Sequence, residues 1–288
     1  MKPTFRSPAR EAAFFSAYDD LLDRWRVPVQ QRELRSEFGT THVNACGPTD
    51  APPLVLLASH GATSPVWFAH AEQLSQTHRV YAVDLIGDAG RSVHDGTALT
   101  EPADLLRWFS TVLDGLEITS ADLCGHSYGS WLALSYALSN PGRVDRLALI
   151  DPTACFTGLR ARYVARALPM LLRPTVDRYE SFLRWETQGV RLEPAWVRLS
   201  GLAAADFPTS RVVQPKRPAR SALRELRPAT LVVVAGRTKA HDPDELAERA
   251  TELVPGVTVV RIEEATHHSL PAAHADELGA ALQKHYTA

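Results

Sequence analysis

The sequence predicts an α/β protein: a mostly parallel sheet with helices on both faces and a helical insertion. Two observations carry this. Short, continuously apolar runs such as "PLVLLAS" (53–59), "HRVYAVDL" (78–85) and "ATLVVVAG" (229–236) alternate with amphipathic stretches, as expected of strands buried on both faces and joined by crossover helices. One long segment, 152–228, holds helical patterns without a clear strand. With 288 residues, 45% of them hydrophobic, the chain can bury one sizeable core with an insertion.

Taken in order, "AREAAFFSAYDDLLDRW" (9–25) places Phe14, Tyr18, Leu21, Leu22 and Trp25 at helical spacing, and Pro28 closes it, giving an N-terminal helical extension over 1–28. "VQQRELRSEF" and "TTHVNACG" alternate like an antiparallel pair turning at Gly39. Strands follow at 53–59 and 78–85, with a helix over 66–76 between them, and a helix over 101–117 precedes a third buried strand, "SADLCG". The helix "SWLALSYALSNPG" stops at Asn140-Pro141-Gly142. Later strands are expected at 145–151, 229–236 and 256–264, with helices over 242–254 and 271–286. The expected division is a core of 1–151 and 229–288 and a helical cap of 152–228, in which Val164, Leu168 and Leu171 share one helix side and Val176, Tyr179 and Leu183 another. A Pro- and Arg-rich return closes the cap.

Composition excludes several partners. Net charge is −2 and the arginines are scattered, so no basic surface stands ready for nucleic acid. No stretch approaches 18 apolar residues and the first twenty lack an apolar signal core, so no membrane partner and a cytoplasmic location are expected. Three cysteines, Cys46, Cys124 and Cys155, fit neither a disulfide framework nor a zinc site and read as thiols in a reducing compartment. The histidines are not at zinc-ligand spacings, so no metal is expected. The expected partner is a small molecule, and a homodimer is left open.

The chemistry gathers around "LCGHSYGSW" (123–131). Gly-x-Ser-x-Gly is weak alone, but here a buried strand runs into it and a helix leaves it. That strand–turn–helix is the nucleophile elbow. Gly125 and Gly129 leave room for crossing backbones, while Ser127 takes a strained conformation with its hydroxyl at a helix N-terminus. A serine needs a base. His267, in "EEATHHSLP" after the last strand, is the candidate, with His268 in reserve. His126 points away from the hydroxyl and reads as a packed histidine. Backbone N–H groups for an oxyanion are expected from Tyr128 and from Ala62 in "SHGATSPVW" (59–67), with Thr63 beside it.

The acid is divided between two carboxylates. The loop after "LVVVAG" reads "GRTKAHDPDE", with Lys239 at the natural place for an acid and Asp242 three residues on. Asp242 also fits a helix N-cap before Pro243. Asp151 ends the strand after the nucleophile's helix, at the same end of the sheet. Asp151 is narrowly preferred and Asp242 is its rival.

Together, "SHGATSPVWF", "YAVDLIGDAGRS", "LCGHSYGSWLALSYALSNPGRVDRLALIDP", "LVVVAG" and "EEATHHSLP" resemble a bacterial α/β-hydrolase of the carboxylesterase type, over roughly 40–155 and 229–288. "YESFLRW" adds a likeness to small bacterial carboxylesterases with an N-terminal helix. The resemblance implies the α/β-hydrolase fold with a cap that shapes the pocket. In many relatives the acid follows the penultimate strand, where this sequence departs with Lys239. Others, the haloalkane dehalogenases among them, carry it one strand earlier, where Asp151 stands, but their elbow nucleophile is an aspartate and not a serine. The expected function is a serine hydrolase of class EC 3.1.1, cleaving a carboxylic ester of a small apolar substrate through an acyl-enzyme without a cofactor. Rivals with the same three residues are thioesterase, lactonase and acyltransferase chemistry. A non-catalytic ligand-binding protein and a biosynthetic lyase or cyclase are rivals of another kind. Six cap side chains (Phe156, Tyr163, Met170, Trp185, Trp196 and Phe207) suggest either an apolar pocket, with Trp185 touching substrate, or the cap's own core.

Overall fold

A computed structural model describes residues 5–208 and 213–287. Part of the Pro- and Arg-rich return, 209–212, therefore lies outside the described residues. Among the described residues, nine strands form one sheet. β1 (Gln30–Ser36) and β2 (Gly39–Cys46) make the predicted antiparallel pair, Ser36 opposite Gly39 at the turn. β3 (Pro53–Leu57), β4 (Arg79–Val83), β6 (Ala121–His126), β7 (Val144–Ile150), β8 (Ala229–Ala235) and β9 (Thr258–Ile262) run parallel in the order β4-β3-β6-β7-β8-β9, and β2 pairs antiparallel with β4. A two-residue strand, β5 (Val93–His94), pairs with β2; the sequence gives no sign of a strand so short.

The continuous apolar runs have a plain cause. Along β3, Val55 and Leu57 enter one buried cluster, while Leu54 and Leu56 enter another on the opposite face. β8 does the same, with Val232 and Val234 on one side and Leu231 and Val233 on the other. Successive side chains point to opposite faces, so a strand covered on both sides must be apolar throughout. α3 (Pro102–Gly115), α4 (Tyr128–Ser139) and α9 (Pro243–Leu253) cover the first face. α1 (Pro8–Leu22), α2 (Ala71–Leu74) and α11 (Ala275–Thr287) cover the second. Each fully buried large apolar side chain contributes roughly 1.5–3 kcal/mol.

α1 is tied down by polar chemistry as well. Tyr18 Oη donates to Asp84 Oδ2 at 2.8 Å and accepts from Asn44 Nδ2 at 2.7 Å, all in the buried interior. Asp84 also accepts the Ser64 and Arg91 N–H groups, each at 2.7 Å.

Between β7 and β8 lie α5 (Ala161–Leu172), α6 (Val176–Glu186), α7 (Pro194–Asp206) and α8 (Arg220–Arg224). α7 packs on α1, with Phe14 and Phe207 rings 4.9 Å apart and Arg198 paired to Asp20 at 2.8 Å. Two local expectations are corrected, and a third is placed on the surface. The helix expected over 66–76 is a 3₁₀ turn, Ser64–Ala69, followed by α2, because i→i+3 bonds such as Val66 N–H to the Thr63 carbonyl tighten it. The last helix is two pieces, α10 (Leu270–Ala273) and α11, broken at His274, whose backbone leaves the helical region. In α5, Val164, Leu168 and Leu171 do share one side, but that side is exposed, and Tyr163 and Ala167 face inward.

Candidate active site

The sheet brings the candidate residues together by register. His126 pairs with Ile150, and Ile150 with Val233. One residue further, Ser127 and Asp151 therefore leave neighbouring strands side by side at the carboxyl end of the sheet, where open α/β sheets bind ligands. Ser127 sits at φ +55°, ψ −112° between β6 and α4. The glycines show how tight that turn is. A Cβ on Gly125 would lie 2.3 Å from the Gly129 carbonyl oxygen, and one on Gly129 would lie 2.2 Å from the Leu57 carbonyl oxygen.

His267 Nε2 lies 2.8 Å from Ser127 Oγ, and His267 Nδ1 lies 2.6 Å from Asp151 Oδ2. All three residues are at most 5% exposed. Burial holds the His267 imidazole below its ordinary pKa, with the Asp151 hydrogen bond and charge opposing that shift. It is therefore neutral, able to accept a proton at Nε2, while Nδ1–H donates to the carboxylate. Burial would raise Asp151, but His241 beside it and the hydrogen bonds it accepts from His241 and His267 hold it well below the usual carboxylate range.

The two rival carboxylates stand in different places. Asp242 caps α9, its Oδ1 accepting the Asp244 and Glu245 N–H groups at 3.1 and 3.2 Å, and Oδ2 pairs with Arg160 at 2.5 Å. Asp151 reaches the imidazole. The end of β8 and the loop after it, which carries the rival Asp242, supply donors to Asp151. Its carboxylate accepts the Ala235 N–H and His241 Nε2–H at 3.0 Å each and the Thr238 hydroxyl at 3.1 Å. Lys239 turns to the insertion, bonding the Trp185 carbonyl and standing 4.6 Å above the Trp185 ring.

Other expected residues fall as follows. The Tyr128 N–H, at the first turn of α4, donates to no acceptor among the described residues. The Ala62 N–H closes a turn on the Ser59 carbonyl at 3.1 Å, so an oxyanion would have to share it or open that turn. Thr63, buried beside it, precedes the 3₁₀ turn without a side-chain cap bond. Trp185 is not set against Ser127. It packs with Tyr163, Phe182 and Met170 in a small cluster of the insertion, and Tyr163 is the ring that reaches His267, 6.4 Å between centroids. Phe156 belongs to the cluster on one face of the sheet, and Trp196 and Phe207 to the cluster on the other, so the six side chains do not line one pocket. A cleft beside the site is lined by His60, Leu85, Ile86, Leu99, Tyr128 and Leu132.

A model of the alpha/beta hydrolase family matches residues 54–281. The chain belongs to this family. It is similar to two Bacillus subtilis (strain 168) proteins, each at 30% identity. The one named uncharacterized carboxylesterase nap aligns over 264 residues, 88% of this chain and 86% of the relative. Carboxylesterase YbfK aligns over 263 residues, 88% of this chain and 87% of the relative. The crystal structure of naproxen esterase (carboxylesterase NP) from Bacillus subtilis matches at TM-score 0.89 and 26% identity, covering 98% of this chain and 99% of that one.

Within this alpha/beta hydrolase, four polar residues at the site went unassigned by sequence reasoning. His241 donates to Asp151, Thr153 Oγ1 lies 3.5 Å from Ser127 Oγ, and Glu186 bonds the His267 N–H at 3.0 Å. Asp88 Oδ2 bonds His60 Nδ1 at 2.7 Å and the Gly61 N–H at 2.9 Å, bracing the 59–63 loop, and its charge raises the His60 pKa. Only the single histidine of "GRTKAHDPDE" carried a visible signal. His126 is the packed histidine expected, its Nε2–H donating to the His267 carbonyl at 3.0 Å.

Proposed function

We propose that this alpha/beta hydrolase is a serine carboxylesterase working through an acyl-enzyme, with 152–228 as a cap on a core of 1–151 and 229–288. The observation that carries the reading is the chain Ser127 Oγ–His267 Nε2 at 2.8 Å and His267 Nδ1–Asp151 Oδ2 at 2.6 Å, at a strained turn. The two Bacillus subtilis relatives named carboxylesterases support ester as the substrate class.

Ser127 Oγ attacks the ester carbonyl as its proton passes to His267 Nε2. Asp151 keeps Nδ1–H fixed and stabilises the imidazolium. The Tyr128 N–H and a second donor from the 59–63 loop take the developing oxyanion, each worth about 3 kcal/mol of barrier. His267 then protonates the leaving alcohol and draws a proton from water, which attacks the acyl-enzyme and frees Ser127. The aliphatic lining beside Tyr128 suits an apolar group on the substrate, and three free, buried cysteines fit a cytoplasmic location.

A panel of p-nitrophenyl esters and matching thioesters tests this with wild type, Asp151→Asn and Asp242→Asn. Oxygen esters are expected to turn over. Asp151→Asn should lower kcat by about 10⁴-fold, and Asp242→Asn should stay close to wild type. Loss of activity on Asp242→Asn with Asp151→Asn unaffected would reverse the assignment of the acid.

A further inference from the structure

The insertion touches the base through one carboxylate. Glu186, the last residue of α6, has no exposed surface. Its Oε1 accepts the main-chain N–H of His267 at 3.0 Å. Its Oε2 accepts the His268 N–H at 3.2 Å and the Thr266 hydroxyl at 3.0 Å, and lies 3.3 Å from His268 Nδ1. Three donors on three successive residues, with His268 Nδ1 close by, thus converge on one carboxylate from a different segment of the chain. A buried carboxylate persists only where such donors replace water. Here they belong to the base loop itself.

Behind Glu186, Lys239 bonds the carbonyl of its neighbour Trp185, so the loop after β8 is fastened to the same end of α6. The opposite side of the His267 backbone is held by His126, which donates to the His267 carbonyl. The base is therefore gripped at N–H by the insertion and at C=O by the core strand β6.

We propose that Glu186 is a positioning residue through which the cap sets the place and proton affinity of His267. The proposal rests on the esterase reading of Ser127 and His267. Nε2 must hold hydrogen-bond registry with Ser127 Oγ, and loss of a main-chain anchor lets the ring drift. The charge acts as well. The groups facing His267 are Ser127 and His126 from β6 and its turn, Asp151 after β7, His241 after β8, Tyr163 on α5, Glu186 on α6 and the adjacent His268. Among them Asp151 and Glu186 are the carboxylates favouring the imidazolium, and both oppose the burial that lowers it.

The test compares intact wild type, Glu186→Gln and Glu186→Asp. The His267 Cε1–H is titrated by NMR, assigned by its loss in His267→Gln, and kcat and KM are measured on p-nitrophenyl butyrate. Gln keeps the shape, removes the charge and turns an amide NH₂ against an N–H donor. Its His267 should titrate at lower pH, and kcat should fall by on the order of 10–100-fold with little change in KM. Asp keeps the charge on a shorter arm, so its titration should stay near wild type while kcat falls. An unmoved His267 titration in Glu186→Gln would mark mere structural support and overturn the proposal, as would unchanged kcat. If thermal melts show that Glu186→Gln does not fold, unchanged kcat in Glu186→Asp overturns it. A wild type inert towards every ester would sink the esterase reading, while the NMR titration would still decide whether Glu186 sets the proton affinity of His267.

Discussion

Two non-glycine residues with positive φ, Ser127 at +55° and Asp151 at +40°, stand on adjacent strand ends. Each such backbone costs about 1–3 kcal/mol and persists only when its surroundings hold it. Here the Ser127 N–H is fixed on the Ile150 carbonyl at 3.0 Å and the Asp151 N–H on the Val233 carbonyl at 2.7 Å. Ser127→Gly should therefore raise stability by about 1 kcal/mol while abolishing turnover, seen as a higher Tm in an inactive protein. A lower Tm would show that the turn is not strained. The neutral state of His267 gives a pH prediction. The base must be unprotonated, and burial lowers its pKa. So kcat/KM should hold as pH falls through the ordinary imidazole range and drop only below it. A limb above neutral pH would contradict the buried, neutral base.

At the scale of elements, the elbow depends on backbone crossings and not on side-chain packing. β6, α4 and β3 meet where Gly125 faces Gly129 and Gly129 faces the Leu57 carbonyl. Gly125→Ala brings a Cβ to 2.3 Å from a main-chain oxygen, so the turn must open and carry Ser127 out of reach of His267. Its expected signature is soluble protein with kcat down by on the order of 10²-fold or more, and an active Gly125→Ala would refute the crossing. α1 depends on a different feature, the buried Tyr18–Asp84–Asn44 cluster. Tyr18→Phe leaves a buried carboxylate short of a donor and should cost about 1–3 kcal/mol in urea unfolding. A ΔΔG near zero would show that the cluster is not what anchors the helix.

Across the whole molecule, what was legible in the sequence is what depends on local pattern. Strands buried on both faces announce themselves as unbroken apolar runs, and Gly125-x-Ser127-x-Gly129 between a strand and a helix announces the tight turn and the candidate nucleophile on it. What was not legible depends on which ends the topology brings together. Along the chain Asp151 is only narrowly preferred to Asp242, and it is the β6–β7–β8 register that separates the one that meets His267 from the one that caps α9. Glu186 lies some 80 residues from the loop it holds and looks in sequence like one more charge on a helix. The stripe of Val164, Leu168 and Leu171 shows the same limit: periodicity finds the apolar side of a helix, and the position of that helix on the fold decides whether the side is covered.

The central claim is that Ser127, driven by His267, is the attacking group. Reaction with a fluorophosphonate followed by peptide mass spectrometry tests it most directly. A single adduct is predicted on the peptide carrying Ser127, absent in Ser127→Ala and formed far more slowly in His267→Gln. Full labelling of Ser127→Ala, or an adduct confined to another residue, would contradict it.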